Sequence, residues 1–208
     1  PQSADQLVYS TPDHPELGHG AEVTDDGRWV VITTSKGTDN KFELHVIPLA
    51  GQGRVMGAGA SVVGPKKGKL LRRGWQAVPL VKGLDHDWRL IEGMGDTLYF
   101  MTNKGAPKLK VVRVTFDPAG MLKLKSCDEL ACYHSKSDKD DWTFTDIIPE
   151  RPETLERARI VGNRLILNYL KDAVSTAEMV SLDGKPVREI TLNAIGTAAG
   201  FSGRPGDP

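Results

Sequence analysis

Gly162-Asn163-Arg164-Leu165-Ile166-Leu167-Asn168-Tyr169-Leu170-Lys171 decides how this chain is read, because the same plan occurs twice more. Gly27-Arg28-Trp29-Val30-Val31-Ile32-Thr33-Thr34-Ser35-Lys36 is one copy, and Gly95-Asp96-Thr97-Leu98-Tyr99-Phe100-Met101-Thr102-Asn103-Lys104 is the other. Each opens on a glycine turn, runs through apolar, β-branched or aromatic residues, and leaves through polar ones to a lysine nine residues after the glycine. A turn followed by five to seven such residues reads as a buried strand. The glycines recur at intervals of 68 and 67 residues, which a serial array of β modules explains.

Working outward, each copy is flanked by further strand signals. Around the first lie Gly20–Thr24, the turn Asp25-Asp26-Gly27, the alternating Phe42–Ile47, and Val78–Val81, whose Pro79 suits a sheet edge. Around the second lie Asp87–Glu92, Leu109–Phe116 and Trp142–Ile148. Around the third lie Leu155–Val161, Ala177–Leu182 and Val187–Leu192, with Asp183-Gly184 as a hairpin turn. Gln6–Ser10 reads as a strand entering from an upstream module, and Thr11–Pro15 as a turn cluster whose two prolines exclude helix.

Four antiparallel strands per module, repeated in series, form the blades of a β-propeller. The expected fold is therefore all-β: a partial β-propeller of about three four-stranded antiparallel blades plus partial flanking blades. The expected blades are residues 5–83 with an insertion at 50–76, 84–149 with an insertion at 117–141, 150–193, and the start of a further blade at 194–208. A blade buries its faces against its neighbours, so an isolated piece is expected to leave apolar faces open at each end. Both insertions are expected as exposed loops or extra hairpins. The first is glycine-rich and carries Lys66, Lys67, Lys69, Arg72, Arg73 and Trp75, the one tryptophan expected near the surface. The second carries both cysteines and the run Lys136–Asp141.

Composition narrows the function. Lysine plus arginine and aspartate plus glutamate number 27 each, so no global charge favours nucleic acid or an anionic membrane. No apolar run approaches the roughly 18 residues that span a bilayer, and no basic-then-apolar leader opens the sequence. The expectation is a soluble protein, cytoplasmic or periplasmic, and Pro1 reads as the interior of something longer. Cys127 and Cys132 are compatible with a local disulfide or with two free thiols. His134 does not complete a zinc site with them.

Candidate chemistry fails on spacing. Gly200-Phe201-Ser202-Gly203 is one residue short of a nucleophile elbow and no helix pattern follows it. Gly64–Leu70 lacks the length and the hydroxyl of a phosphate loop, and Gly51–Met56 lacks the third glycine of a dinucleotide fingerprint. Asp85-His86-Asp87 alternate in direction along an extended chain and cannot converge on one metal, so a turn between blades is the better reading. His14, His19 and His45 are scattered without ligand spacing. Trp29, Trp88 and Trp142 are read as packing residues in blade strands. No catalytic residue, metal site or cofactor is assigned.

Several stretches resemble the propeller of prolyl oligopeptidases: Tyr9–Pro15, Val23–Trp29, Gly83–Asp85 through Thr102–Lys104, Ile148–Glu150, Val161–Ala173, Leu182–Lys185, Arg188–Ile190 and Gly196–Gly203. The resemblance implies a seven-bladed propeller capping an α/β-hydrolase domain, in serine peptidases that cut short peptides after proline. The serine, aspartate and histidine would belong to that hydrolase domain, none of which is matched in this chain. The implied partners are the hydrolase domain and short proline-containing peptides, with no nucleic acid and no membrane. A few propeller loops of that family reach the substrate pocket with apolar or sulfur side chains, and the resemblance assigns those places to Gly18 and Thr38, both smaller. The expected function is the substrate-gating segment of such a peptidase, inactive by itself. The alternative is a free-standing propeller that binds partners, with Lys66–Arg73 and Asp138–Asp141 as its contact surfaces.

Overall fold

A computed structural model describes residues 7–49, 77–116, 142–171, 174–190, 201 and 203–207. The insertions at 50–76 and 117–141, with Trp75, Cys127 and Cys132, lie outside the described residues, as does Ser202. The described residues form twelve strands in three antiparallel four-stranded sheets, each ordered as the chain runs. The first holds β1 (Leu17–Val23), β2 (Trp29–Lys36), β3 (Glu43–Pro48) and β4 (Val78–Val81). The second holds β5 (Trp88–Met94), β6 (Thr97–Thr102), β7 (Lys110–Thr115) and β8 (Thr145–Ile148). The third holds β9 (Thr154–Val161), β10 (Arg164–Lys171), β11 (Val174–Ser181) and β12 (Pro186–Ile190).

The three copies of the repeat are β2, β6 and β10, the second strand of each sheet. Their leading glycines stand at φ 66° (Gly27), 62° (Gly95) and 50° (Gly162). A left-handed turn residue there lets the first strand double back onto the second, and glycine does this without a Cβ clash.

Alternation then sorts the side chains into layers. Trp29, Val31, Leu44 and Val46 of the first sheet meet Leu98, Phe100, Val112 and Val114 of the second. On the other face of the second sheet, Tyr99, Met101, Val111 and Ile148 meet Leu155, Ile160, Leu165 and Leu167 of the third. The second sheet is thus sealed on both sides.

Three strand expectations need correction. Residues 7–10 form no strand; Tyr9 instead lays its ring on the far face of the first sheet, against Ile32, Ile47 and Ala77. The first strand starts at Leu17, not Gly20, because β2 offers partners as far as Lys36 and Leu17-Gly18-His19 pair along it despite weak strand propensity. Trp142 precedes β8 and spans the two sheets: its Nε1 donates to the Pro79 carbonyl at 3.0 Å and its ring lies 5.0 Å from Phe116. The expectation of open end faces holds only in part. Val23 is 59% exposed, yet Ile32 on the far face of the first sheet is only 4% exposed.

Candidate functional site

The second and third sheets meet at their first strands, and the first and second meet at the turn that follows β1. Thr24, at the end of β1, packs against Gly93 of β5, where an added Cβ would stand 2.5 Å from the Thr24 methyl. Strands β5 and β9 lie against each other as well. Turn chemistry holds the first two sheets together there.

The Asp26 carboxylate accepts from the Thr24 hydroxyl at 2.6 Å, the Arg28 amide at 3.0 Å and, across the seam, the Gly95 amide at 2.9 Å. Trp29 Nε1 donates to the Gly95 carbonyl at 2.8 Å, and the Arg28 guanidinium meets Asp96 at 2.5 Å. Glu92 accepts from the amides of Asp25 and Gly93; burial nonetheless pushes its carboxyl above the usual range. The turn of the first copy therefore docks on the turn of the second. At the third sheet, the amides of Gly162 and Asn163 donate to the carbonyls of Arg204 and Pro205 at 3.0 and 3.1 Å, so residues 203–207 meet that turn much as the second copy meets the first.

Between the first two sheets a cleft of about 490 Å³ opens. Gly20 and Glu22 of β1 form one wall, Trp88 and Arg89 of β5 the other, with Thr33 and Phe42 among the remaining lining residues. Arg89 is fixed by Asp87, with Nε–Oδ1 at 3.2 Å and Nη2–Oδ2 at 2.5 Å. That contact accounts for Asp87 in the Asp85-His86-Asp87 run, while the His86 carbonyl accepts the Phe42 amide at 2.9 Å. The cleft thus combines apolar lining with one acid and one fixed guanidinium.

Among the described residues, His19 joins two hydroxyls, Thr34 Oγ1 2.9 Å from its Nδ1 and Thr11 Oγ1 3.0 Å from its Nε2, and so holds both ring nitrogens in structural contacts. Thr34 is fully buried, so no substrate atom can reach it.

Gly18 and Thr38 fall at one end of the first sheet. Gly18 pairs with Ser35 on an exposed edge, where a Cβ would meet nothing within 4 Å. Thr38 is exposed in the turn that follows Gly37, two residues past the end of β2. Neither lines the cleft. Gly20, two residues along the same face of β1, does. Sequence reading missed Gly20, Glu22 and Arg89 as a set; the alternation 18, 20, 22 along β1 was the available signal.

The family described as the N-terminal β-propeller domain of prolyl oligopeptidase matches residues 1–208, the whole chain. The chain belongs to this family. The propeller is 28% identical over 202 residues to the prolyl endopeptidase of Elizabethkingia meningoseptica, covering 97% of this chain and 22% of that protein. It is 27% identical over 198 residues to prolyl oligopeptidase A of Amanita bisporigera, covering 94% and 21%. A solved prolyl endopeptidase superposes with a TM-score of 0.74 at 36% identity, over 100% of this chain and 24% of the other. Apo prolyl oligopeptidase B of Galerina marginata superposes with a TM-score of 0.70 at 22% identity, over 99% and 24%, a likeness of fold. The propeller segment thus spans less than a quarter of the length of these relatives.

Proposed function

We propose that this propeller segment gates substrate for a serine peptidase that cleaves short peptides after proline. The carrying observation is the open cleft between the first two sheets, in a chain matched from end to end by the prolyl oligopeptidase propeller. A wall of stacked blades admits an extended peptide and excludes a folded protein by size alone. Nucleophilic attack, general-base action and oxyanion stabilisation would come from a hydrolase domain acting with it. Within the propeller, Gly18 and Thr38 are the positions assigned to substrate contact at the rim, and the fixed Arg89 is suited to hold a peptide carbonyl or carboxylate in the cleft.

The 208 residues alone are expected to give no turnover of a proline-containing chromogenic peptide. Joined to a hydrolase domain of this family, they are expected to confer cleavage of short proline peptides and protection of the same sequence inside a folded protein. Turnover by the isolated chain, or equal cleavage of short and folded substrates by the joined protein, would sink the proposal.

A further inference from the structure

The far face of the first sheet carries a cluster that the gating reading does not use. Tyr9 sits between two histidines: its ring is 5.0 Å from His19 at 81° and 4.6 Å from His45 at 47°. His19 bridges the leading segment to the sheet, with Nε2 3.0 Å from Thr11 Oγ1 and Nδ1 2.9 Å from Thr34 Oγ1. His45, on β3, is 7% exposed, and its Nδ1 has no hydrogen-bond partner among the described residues.

The surroundings of His45 are hostile to a proton. The charged groups acting on it are His19 from β1 and Lys82 just past β4, both cations when protonated. Glu43, two residues away on β3, is occupied by the Gly83 amide at 2.9 Å. The strands beside it contribute Ile32 from β2 and Pro79 from β4, and the leading segment contributes Tyr9. His14 pairs with Glu16 on the solvent side at 3.5 Å. The two histidines therefore differ in what a second N–H would meet. A doubly protonated His19 can donate to both threonine hydroxyls and stay in place. A protonated His45 has no described acceptor for its second N–H and no anion to meet, so it must reach water.

We propose that Tyr9, His19 and His45 form an acid-released clasp, in which protonation of His45 lifts residues 7–16 off the first sheet while the three sheets stay folded. The geometry carries this, and burial that pushes His45 down to about 4 agrees with it. The clasp is independent of the peptidase reading: it concerns how an upstream segment is held, whatever the cleft binds.

Chymotryptic cleavage after Tyr9 in the 208-residue chain, normalised at each pH to the cleavage of a free peptide of residues 7–16, tests it at pH 7.5 and pH 5.0, with amide exchange of β6 as the control for the folded sheets. The normalised rate is expected to rise on the order of tenfold in acid, with β6 unchanged. His45→Leu is expected to abolish the rise, and His19→Gln to reduce it. A normalised rate that ignores pH, or a rise that survives in His45→Leu, overturns the clasp. Should His45→Leu fail to fold, the imidazole titration of His45 in the unsubstituted chain decides. A midpoint near 6.5 with Tyr9 still shielded from cleavage overturns the proposal, and a midpoint well below that, with cleavage rising as His45 titrates, supports it.

Discussion

At the scale of single residues, backbone conformation separates glycines that look alike in the sequence. Gly184 stands at φ 84° in the β11–β12 hairpin, and a Cβ there would overlap the Ile147 carbonyl oxygen. Gly184→Ala is expected to cost about 3 kcal/mol, because backbone cannot yield as a side chain can. Gly18→Ala, in open space on an edge, is expected to stay within about 0.5 kcal/mol of the unsubstituted chain. Thermal or urea melts of the pair check both. The burial that holds His45 down to about 4 also sets a pH dependence. The unfolded chain takes up that proton near 6.5, so between 6.5 and 4 it binds more protons than the folded one. Stability is therefore full above about pH 6.5 and falls toward pH 4, until release of residues 7–16 lets the folded sheets take up the same proton. His45→Leu should flatten that part of the profile. The sequence showed His45 only as a scattered histidine; its burial depends on Tyr9 crossing the sheet, a contact no periodicity encodes. Leu109 at φ 70° was equally hidden, since leucine carries no signal for a left-handed conformation.

At the scale of elements, the repeat made the second strand of each sheet legible because those strands are buried on both faces and lead from glycine turns. Val78–Val81 and Thr97–Thr102 were readable to the residue. Edge strands were harder. β1 and β12 are largely exposed, so pairing rather than hydrophobic pattern fixes where they begin. The cleft was not legible, because it depends on how two sheets approach, not on either alone. The seam between them makes its own prediction. Asp26→Ala removes three accepted hydrogen bonds, one of them to the neighbouring sheet, and is expected to lower stability by about 2 kcal/mol, read as a shift in urea midpoint at unchanged slope. A midpoint that does not move would show that the turns merely abut.

At the scale of the whole molecule, the order of the sheets sets the order of loosening. The second sheet lies between two cores, with Leu98 and Phe100 facing one and Tyr99 and Met101 the other. Its β6 amides are expected to exchange most slowly, and β1 and β12, exposed at sheet edges, most quickly. Exchange that is uniform over the three sheets, or fastest in β6, would contradict this layering. β3 ends at Pro48 and pairs with β4, which begins at Val78; β7 ends at Thr115 and pairs with β8, which begins at Thr145. The ladders that join these strands do not depend on a short covalent link. Fragments divided between Pro48 and Val78, or between Thr115 and Thr145, should therefore reassociate through strand pairing, the basis of a split reporter whose signal reads out assembly of the blade.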